Sequence, residues 1–122
     1  MTETTKIILV TDDKKLGALS GNSLGDGVRV QLRTASSVLD ELETLEASIL
    51  FVDSDQIPQF VGFALLRALA ARSSTIPVIG MVDEDQTLDA IAFVRLGARD
   101  VLCKPLRPSE LWGTVRRFVE LP

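Results

Sequence analysis

Short apolar runs, spaced along the whole chain, constrain the fold more than any other feature of this sequence. They are rich in Ile, Val and Leu and are continuously apolar rather than alternating. Strands of this kind are typical of a parallel sheet with helices on both faces, so we predict that both faces of the sheet are buried. The predicted strands are Lys6 to Val10, Val28 to Leu32, Ser48 to Val52, Pro77 to Val82 and a weaker Asp100 to Cys103.

Segments with helical spacing follow each of these strands. Consecutive strand ends lie between 20 and 30 residues apart, which is enough for a right-handed crossover through a helix. The alternation predicts an α/β fold with a doubly wound, five-stranded parallel sheet and one domain over residues 1–122. The predicted helices are Lys14 to Leu24, Ser36 to Leu45, Phe60 to Arg72, Asp85 to Leu96 and Pro108 to Glu120.

Composition removes several classes of function. The 122 residues include no His and one Cys, and the formal charge is −4. The chain therefore has no His for acid–base or phosphorelay chemistry, and Cys103 cannot close an intrachain disulfide; we expect it to be a buried structural residue. The acidic balance argues against direct binding to nucleic acid. With no apolar stretch long enough to cross a bilayer and no signal peptide, a cytoplasmic protein is expected.

Charged residues follow several of the predicted strands. Asp12 and Asp13 follow the first, Asp53 the third, Asp83 the fourth and Lys104 the fifth. In open parallel sheets ligands bind outside the carboxyl ends of the strands, so these groups are candidates for one site. Asp residues in such loops also cap helices, which is the simpler explanation for the first pair. The full pattern is more specific, and clustered carboxylates favour a divalent cation such as Mg²⁺.

Four motifs stand out along the chain: Ile8 to Asp13, Ile49 to Asp53, Ile76 to Ile79 and, most specific, Gly97 to Pro105. Through these motifs the sequence resembles a known family, the receiver domains of two-component response regulators of the chemotaxis-regulator kind, and the resemblance covers nearly the whole chain. It implies a flavodoxin-like three-layer sandwich with the strand order 2-1-3-4-5.

The resemblance assigns a role to each charged residue except Asp83. It implies that Asp53 accepts a phosphoryl group from a partner histidine kinase or phosphotransfer protein, and that Lys104 pairs with the phosphoryl oxygens. Asp12, Asp13, Asp53 and the backbone carbonyl of Asp55 would hold Mg²⁺ or Mn²⁺. The domain would then be a phosphoacceptor rather than an enzyme with a separate substrate. The family also places a cis peptide after the lysine, here Lys104-Pro105.

Three positions depart from the family pattern. Val82 stands where the family has a Thr or Ser that binds the phosphoryl group, Asp83 where it has a small residue, and Val101 where it has an aromatic ring. These are the positions that transmit phosphorylation through the domain, so we expect an altered switch. The acidic residues and Lys104 are all retained.

Other readings stay open at the level of sequence. A pseudo-receiver would keep the fold and act as a phosphorylation-independent interaction or dimerisation module; the three departures, the apolar segment Asp85 to Leu96 and a Trp112 expected to point outward favour it. A flavodoxin-like FMN protein shares the architecture, but the carboxylates of Asp12 and Asp13 would repel the FMN phosphate. A metal-dependent phosphatase could use Asp53 and Asp55, although a chain of this length leaves little room for a closing cap.

The last two predicted helices are the candidate partner surface. In the family this face docks partners, so the resemblance implies partner docking or a homodimer through Asp85 to Leu96 and Pro108 to Glu120. Nothing resembling an output segment follows in the given sequence. A stand-alone regulator and an N-terminal piece of a longer protein are both compatible with that.

Overall fold

The computed structural model describes residues 5–11, 28–54, 61–71, 75–85 and 87–119. Its strands and helices follow the predicted order, but the predicted helix Lys14 to Leu24 lies outside the described residues. The strands are β1 Thr5–Val10, β2 Val28–Arg33, β3 Ile49–Asp53, β4 Val78–Val82 and β5 Asp100–Cys103. The α-helices are α1 Ala35–Asp40, α2 Val61–Ala71, α3 Thr87–Arg95 and α4 Pro108–Phe118, with a short 3₁₀ turn at Leu42–Thr44.

The strands form one parallel sheet in the order β2-β1-β3-β4-β5. The order reverses between β1 and β3, where Val10 is aligned with Val52. Beside the edge of the sheet formed by β5, Val82 of β4 is aligned with Cys103 of β5. This confirms the predicted α/β fold and the receiver-type strand order, and it brings the carboxyl ends of the strands to a common edge.

Alternate residues of the central strands divide the interior into two cores, because successive strand side chains point to opposite faces. The core on one face joins the sheet to α1, α2 and α3, and the core on the other face joins it to α4. The first core contains Ile8, Val10, Leu50, Val52, Val78 and Val82; the second contains Ile7, Leu9, Ile49, Phe51, Ile79 and Met81.

Burial differs between the centre and the edges of the sheet. Strands β3 and β4 are buried at every position and β1 at nearly every one, as predicted. The prediction fails for the edge strands, since β2 has exposed residues and β5 is only partly buried. An edge strand has a neighbour on one side only, so the side chains on its outer margin receive less cover.

Helix α1 is shorter than the predicted Ser36 to Leu45. The Arg33 guanidinium donates to the Ser37 carbonyl, the acceptor that a regular helix would offer to the Glu41 N–H. The Glu41 N–H donates instead to the carbonyl of Val38, an i to i−3 bond, and the chain continues as the 3₁₀ turn. Thr34 caps the start by accepting from the Ser37 N–H.

The expected outward orientation of Trp112 is wrong. Trp112 is 7% exposed and packs in the second core with Leu106 and Leu111. The large indole makes the buried stripe of α4 wider than the Leu, Val and Phe spacing alone indicates. The expectation for Cys103 is also wrong, because this residue at the end of the edge strand is exposed.

A close contact between β4 and α3 fixes the position of that helix. A Cβ atom added to Gly80 would lie 2.7 Å from carbon atoms of the Phe93 ring, so the ring occupies the space that any larger residue would need. Phe93 itself is fully buried. After α3, Gly97 has φ of 101°, the left-handed conformation that ends helices and favours glycine.

None of the helices in the described ranges has the length and apolar character that a bilayer crossing requires.

Candidate functional site

Four polar residues are delivered by the carboxyl ends of four strands. Thr11 follows β1, Asp53 ends β3, Asp83 follows β4 and Lys104 follows β5. The main chain fixes two of these positions: the Thr11 N–H donates to the Arg33 carbonyl at 2.9 Å, and the Lys104 N–H donates to the Val82 carbonyl at 2.7 Å. Their placement is therefore a property of the sheet rather than of a long loop.

Asp53 is the centre of this cluster. Its side chain is fully buried, and Lys104 Nζ lies 2.6 Å from Asp53 Oδ1. The lysine side chain is itself only 9% exposed. A buried carboxylate is costly without a compensating cation, and Lys104 supplies that cation. The sequence predicts these two residues for one site, and the structure brings them together.

Thr11 is a member of the cluster that the pattern of charged residues does not predict. Its hydroxyl donates to Asp53 Oδ2 at 2.6 Å, and the residue is 2% exposed. The available signal was a hydroxyl side chain at the end of an otherwise apolar strand, directly before Asp12. Thr11 lies one residue beyond Val10, as Asp53 lies one residue beyond Val52, so the sheet alignment places them side by side.

Asp83 lies at the margin of the site. Its Oδ1 is 3.8 Å from Lys104 Nζ, and its side chain is half exposed. An ion pair at this distance and exposure is screened by water, so it contributes little compared with the buried contact to Asp53. Asp83 nevertheless places a second carboxylate on the side of the lysine that faces solvent.

The remaining predicted positions differ in what the structure describes. Val82 is buried in the first core and Val101 packs partly buried against it. The Lys104-Pro105 peptide is cis, as predicted. Asp12, Asp13 and Asp55 lie outside the described residues.

Asp53 is the buried carboxylate in the described part of the site that suits a divalent cation. The Asp53 carboxylate supplies hard oxygen donors of the kind that Mg²⁺ prefers. Residues 5–11, 28–54, 61–71, 75–85 and 87–119 contain no group of three or more His, Cys, Asp or Glu side chains able to hold a metal ion. Further ligands would have to come from residues such as Asp12 and Asp13, and Asp53 fits such a set.

The arrangement defines the chemistry available. A buried carboxylate presents one oxygen to an ammonium and the other to a hydroxyl. Such a carboxylate can act as a nucleophile toward an electrophile whose own negative charge the ammonium then neutralises. In phosphoryl transfer sites, positively charged groups characteristically lie beside the anionic oxygens of the transferred group.

Comparisons with known proteins identify the family to which this sequence is similar. Residues 5–116 match the family model of the response regulator receiver domain. The response regulator protein TmoT of Ectopseudomonas mendocina is 28% identical over 124 residues, which cover 99% of this chain and 56% of that protein. The response regulator protein TodT of Pseudomonas putida is 27% identical, covering 99% of this chain and 54% of the relative. The chain thus spans about half the length of these curated relatives.

Solved structures show the same fold. The receiver domain of the TMAO respiratory system response regulator TorR superimposes with a TM-score of 0.79 at 25% identity, covering 93% of this chain and 94% of that one. The structure of FixJ-N gives a TM-score of 0.80 at 21% identity, covering 98% and 100% of the two chains. At these identities the second likeness concerns the fold alone.

Proposed function

The chain belongs to the response regulator receiver domain family, and from that premise we propose that Asp53 accepts a phosphoryl group from a histidine kinase or phosphotransfer partner. Receiver domains are phosphoacceptor modules of two-component signal transduction rather than conventional enzymes. The observation that carries the proposal is the buried contact of 2.6 Å between Lys104 Nζ and Asp53 Oδ1.

The proposed step is an in-line displacement at phosphorus. A carboxylate oxygen of Asp53 forms a bond to phosphorus while the bond from phosphorus to the donor nitrogen breaks and its electron pair stays on the nitrogen. Lys104 remains beside the transferred group and neutralises its oxygens. Mg²⁺ or Mn²⁺, held by Asp53 with Asp12, Asp13 and the Asp55 carbonyl, would supply further neutralisation of the phosphoryl oxygens.

The response to phosphorylation is proposed to differ from that of a receiver with a hydroxyl after β4. Val82 is buried and apolar, so it has no hydrogen bond to offer a phosphoryl group. Asp83 would be repelled by that group, since both are anionic. The partly buried Val101 has no ring whose rotation could report the change. The output therefore depends on electrostatics around Lys104 more than on a hydroxyl that draws the loop inward.

An exposed apolar row on α3 is the proposed partner surface. Leu88 is 82% exposed, Val94 is 59% exposed and Ile91 is 44% exposed. Ile91 and Val94 line an open cleft of about 530 Å³ between α3 and β5. Contiguous exposed apolar surface favours association, so homodimerisation or partner docking through α3 and α4 belongs to this proposal.

The proposed histidine kinase partner implies a cytoplasmic location for this domain.

The second candidate function is a pseudo-receiver that associates without phosphorylation. The combination of a buried Val82 with a half-exposed Asp83 favours it, because both oppose the usual response. Self-association measured by analytical ultracentrifugation separates the two. Identical assembly of the wild type and Asp53→Ala, with and without Mg²⁺ and phosphodonor, would support the pseudo-receiver.

Phosphorylation of Asp53 is tested by intact mass after incubation with acetyl phosphate and Mg²⁺. We expect the wild type to gain the mass of one phosphoryl group and Asp53→Asn to gain none. Asp40→Asn is the matched control, because Asp40 is an exposed acid at the end of α1 and should leave uptake unchanged. A wild-type protein that gains no mass, and that also fails to bind beryllofluoride with Mg²⁺, would defeat the proposal.

A further inference from the structure

The two oxygens of Asp53 are held by different donors. Lys104 Nζ is 2.6 Å from Oδ1, and the Thr11 hydroxyl is 2.6 Å from Oδ2. One donor is a cation and the other is neutral, so the two oxygens are chemically distinct although a free carboxylate is symmetric. The orientation of the carboxylate plane is defined when both contacts are made.

Thr11 is well placed to fix that orientation. Its backbone N–H is bound to the Arg33 carbonyl at 2.9 Å, which ties it to β2 as well as β1. The residue is 2% exposed, and a buried, β-branched Thr has restricted χ1 freedom. Water therefore competes weakly for the hydroxyl, and the contact between Thr11 and Asp53 is made from a rigid element.

We propose that Thr11 is a positioning residue for phosphoryl transfer, which holds Asp53 Oδ2 so that Oδ1, the oxygen beside Lys104, attacks phosphorus. The inference rests on the proposed function of Asp53. With acetyl phosphate as donor, the Oδ1–phosphorus bond forms and the bond from phosphorus to the acetyl oxygen breaks. The electron pair leaves with acetate, while Oδ2 becomes the carbonyl oxygen of the acyl phosphate.

This assignment matches the demands of the reaction. The oxygen that gains the phosphoryl group must lie beside the cation that neutralises the group, and Oδ1 does. The other oxygen, Oδ2, loses its negative charge when it becomes a carbonyl oxygen. Its donor must bind both forms, and a neutral hydroxyl can donate to either a carboxylate or a carbonyl oxygen. Misorientation of a reacting group lowers the rate of the chemical step more than it lowers donor binding.

The test compares three variants in phosphorylation by acetyl phosphate with saturating Mg²⁺. Thr11→Val removes the hydroxyl and keeps the shape, and Thr11→Ser keeps the hydroxyl. Thr114→Val is the matched control, because Thr114 is a buried Thr on α4 whose hydroxyl donates to the Glu110 carbonyl away from the site. The maximal rate constant and the half-saturating donor concentration are measured separately, with thermal unfolding of each variant.

The proposal predicts a specific split. The maximal rate constant of Thr11→Val should fall about tenfold, the cost expected for a lost hydrogen bond to a charged group. Its half-saturating concentration should stay near the wild-type value, and Thr11→Ser should recover most of the rate. In the metal-free protein the ¹³C shift of the Asp53 carboxyl carbon should move in Thr11→Val and not in Thr114→Val.

Other results would overturn the inference. A Thr11→Val protein that is phosphorylated at the wild-type rate shows that the hydroxyl positions nothing. Equal loss of rate in Thr11→Val and Thr114→Val, without rescue by Thr11→Ser, shows a general effect of stability. Failure of the wild type to take up phosphoryl groups would instead reject the proposed function of Asp53, so the two failures are distinguishable.

Discussion

Lys104 faces two carboxylates that come from neighbouring strand ends, and the two environments differ sharply. Asp53, at the end of β3, is fully buried with its Oδ1 at 2.6 Å from Lys104 Nζ. Asp83, after β4, is half exposed with its Oδ1 at 3.8 Å. The same pair of residue types therefore makes a structural contact in one place and a screened surface contact in the other.

The two strand ends are also stabilised in different ways. The β3 end depends on polar contacts, because the buried Asp53 is held by Lys104 and by Thr11. The β4 side depends on apolar packing, through the buried Val82 and the contact of Gly80 with the Phe93 ring. The proposed function assigns phosphoryl transfer to the β3 end and an altered response to the β4 end.

The largest expected effect is loss of the buried cation. Lys104→Met should lower the free energy of unfolding by about 3 kcal/mol, because it leaves a fully buried carboxylate without this partner. The double variant Lys104→Met with Asp53→Asn should recover most of that loss, since the charge is then removed as well. Urea denaturation measures both. A single variant as stable as the wild type would mean that the two strand ends do not differ as described.

The next effect concerns packing beside β4. Gly80→Ala should lower the free energy of unfolding by about 2 kcal/mol, because the new methyl group would overlap the buried Phe93 ring. Gly113→Ala is the matched control, since nothing lies within 4 Å of a Cβ at that position in α4. It should be neutral or stabilising by up to about 1 kcal/mol. Equal destabilisation by both variants in thermal denaturation would remove the proposed role of the Gly80 contact.

A smaller effect is expected when a hydroxyl is introduced at the β4 end. Val82→Thr should lower the free energy of unfolding by about 1 kcal/mol in the unmodified protein, because it buries a polar group in an apolar core. With beryllofluoride and Mg²⁺ the variant should be stabilised more than the wild type, since a hydroxyl can then bind the anion. Val82→Ala is the control for side-chain size. Equal stabilisation of Val82→Thr and the wild type by beryllofluoride would show that position 82 does not determine the response.

The smallest expected change in stability comes from Asp83. Asp83→Asn should alter the free energy of unfolding by less than about 0.5 kcal/mol, because the pair with Lys104 is long and half exposed. Removing its charge should raise the phosphorylated fraction at a fixed acetyl phosphate concentration, since repulsion of the phosphoryl group is relieved. A stability loss near that of Lys104→Met would contradict the contrast between the two carboxylates.

The sequence predicts most of the fold because continuous runs of apolar residues mark the buried strands. The apolar runs give all five strands to within one residue at each end, and the strand order agrees with the family resemblance. Helix α1 ends early beside a hydrogen bond from the Arg33 guanidinium to the Ser37 carbonyl, a side-chain contact four residues along the chain that the apolar spacing does not predict. Trp112 was misplaced because helical spacing gives the centre of a buried stripe but not its width.

The candidate site was predicted in part. Asp53 and Lys104 could be paired from the sequence because Asp53 ends β3 and Lys104 follows β5 in the same parallel sheet. The role of Thr11 depends on the alignment of β1 with β3, which the apolar pattern does not specify. The distinction between Asp53 and Asp83 also required the structure, because it depends on exposure rather than on residue type.

The most direct test of the account locates the phosphoryl group on the chain. The protein is incubated with acetyl phosphate and Mg²⁺, treated with borohydride, which reduces an aspartyl phosphate to homoserine, and sequenced by tandem mass spectrometry. The account predicts homoserine at position 53 in the wild type, and its absence when phosphodonor is omitted. Homoserine at another acid such as Asp83, or none in a protein that is otherwise folded, would contradict it.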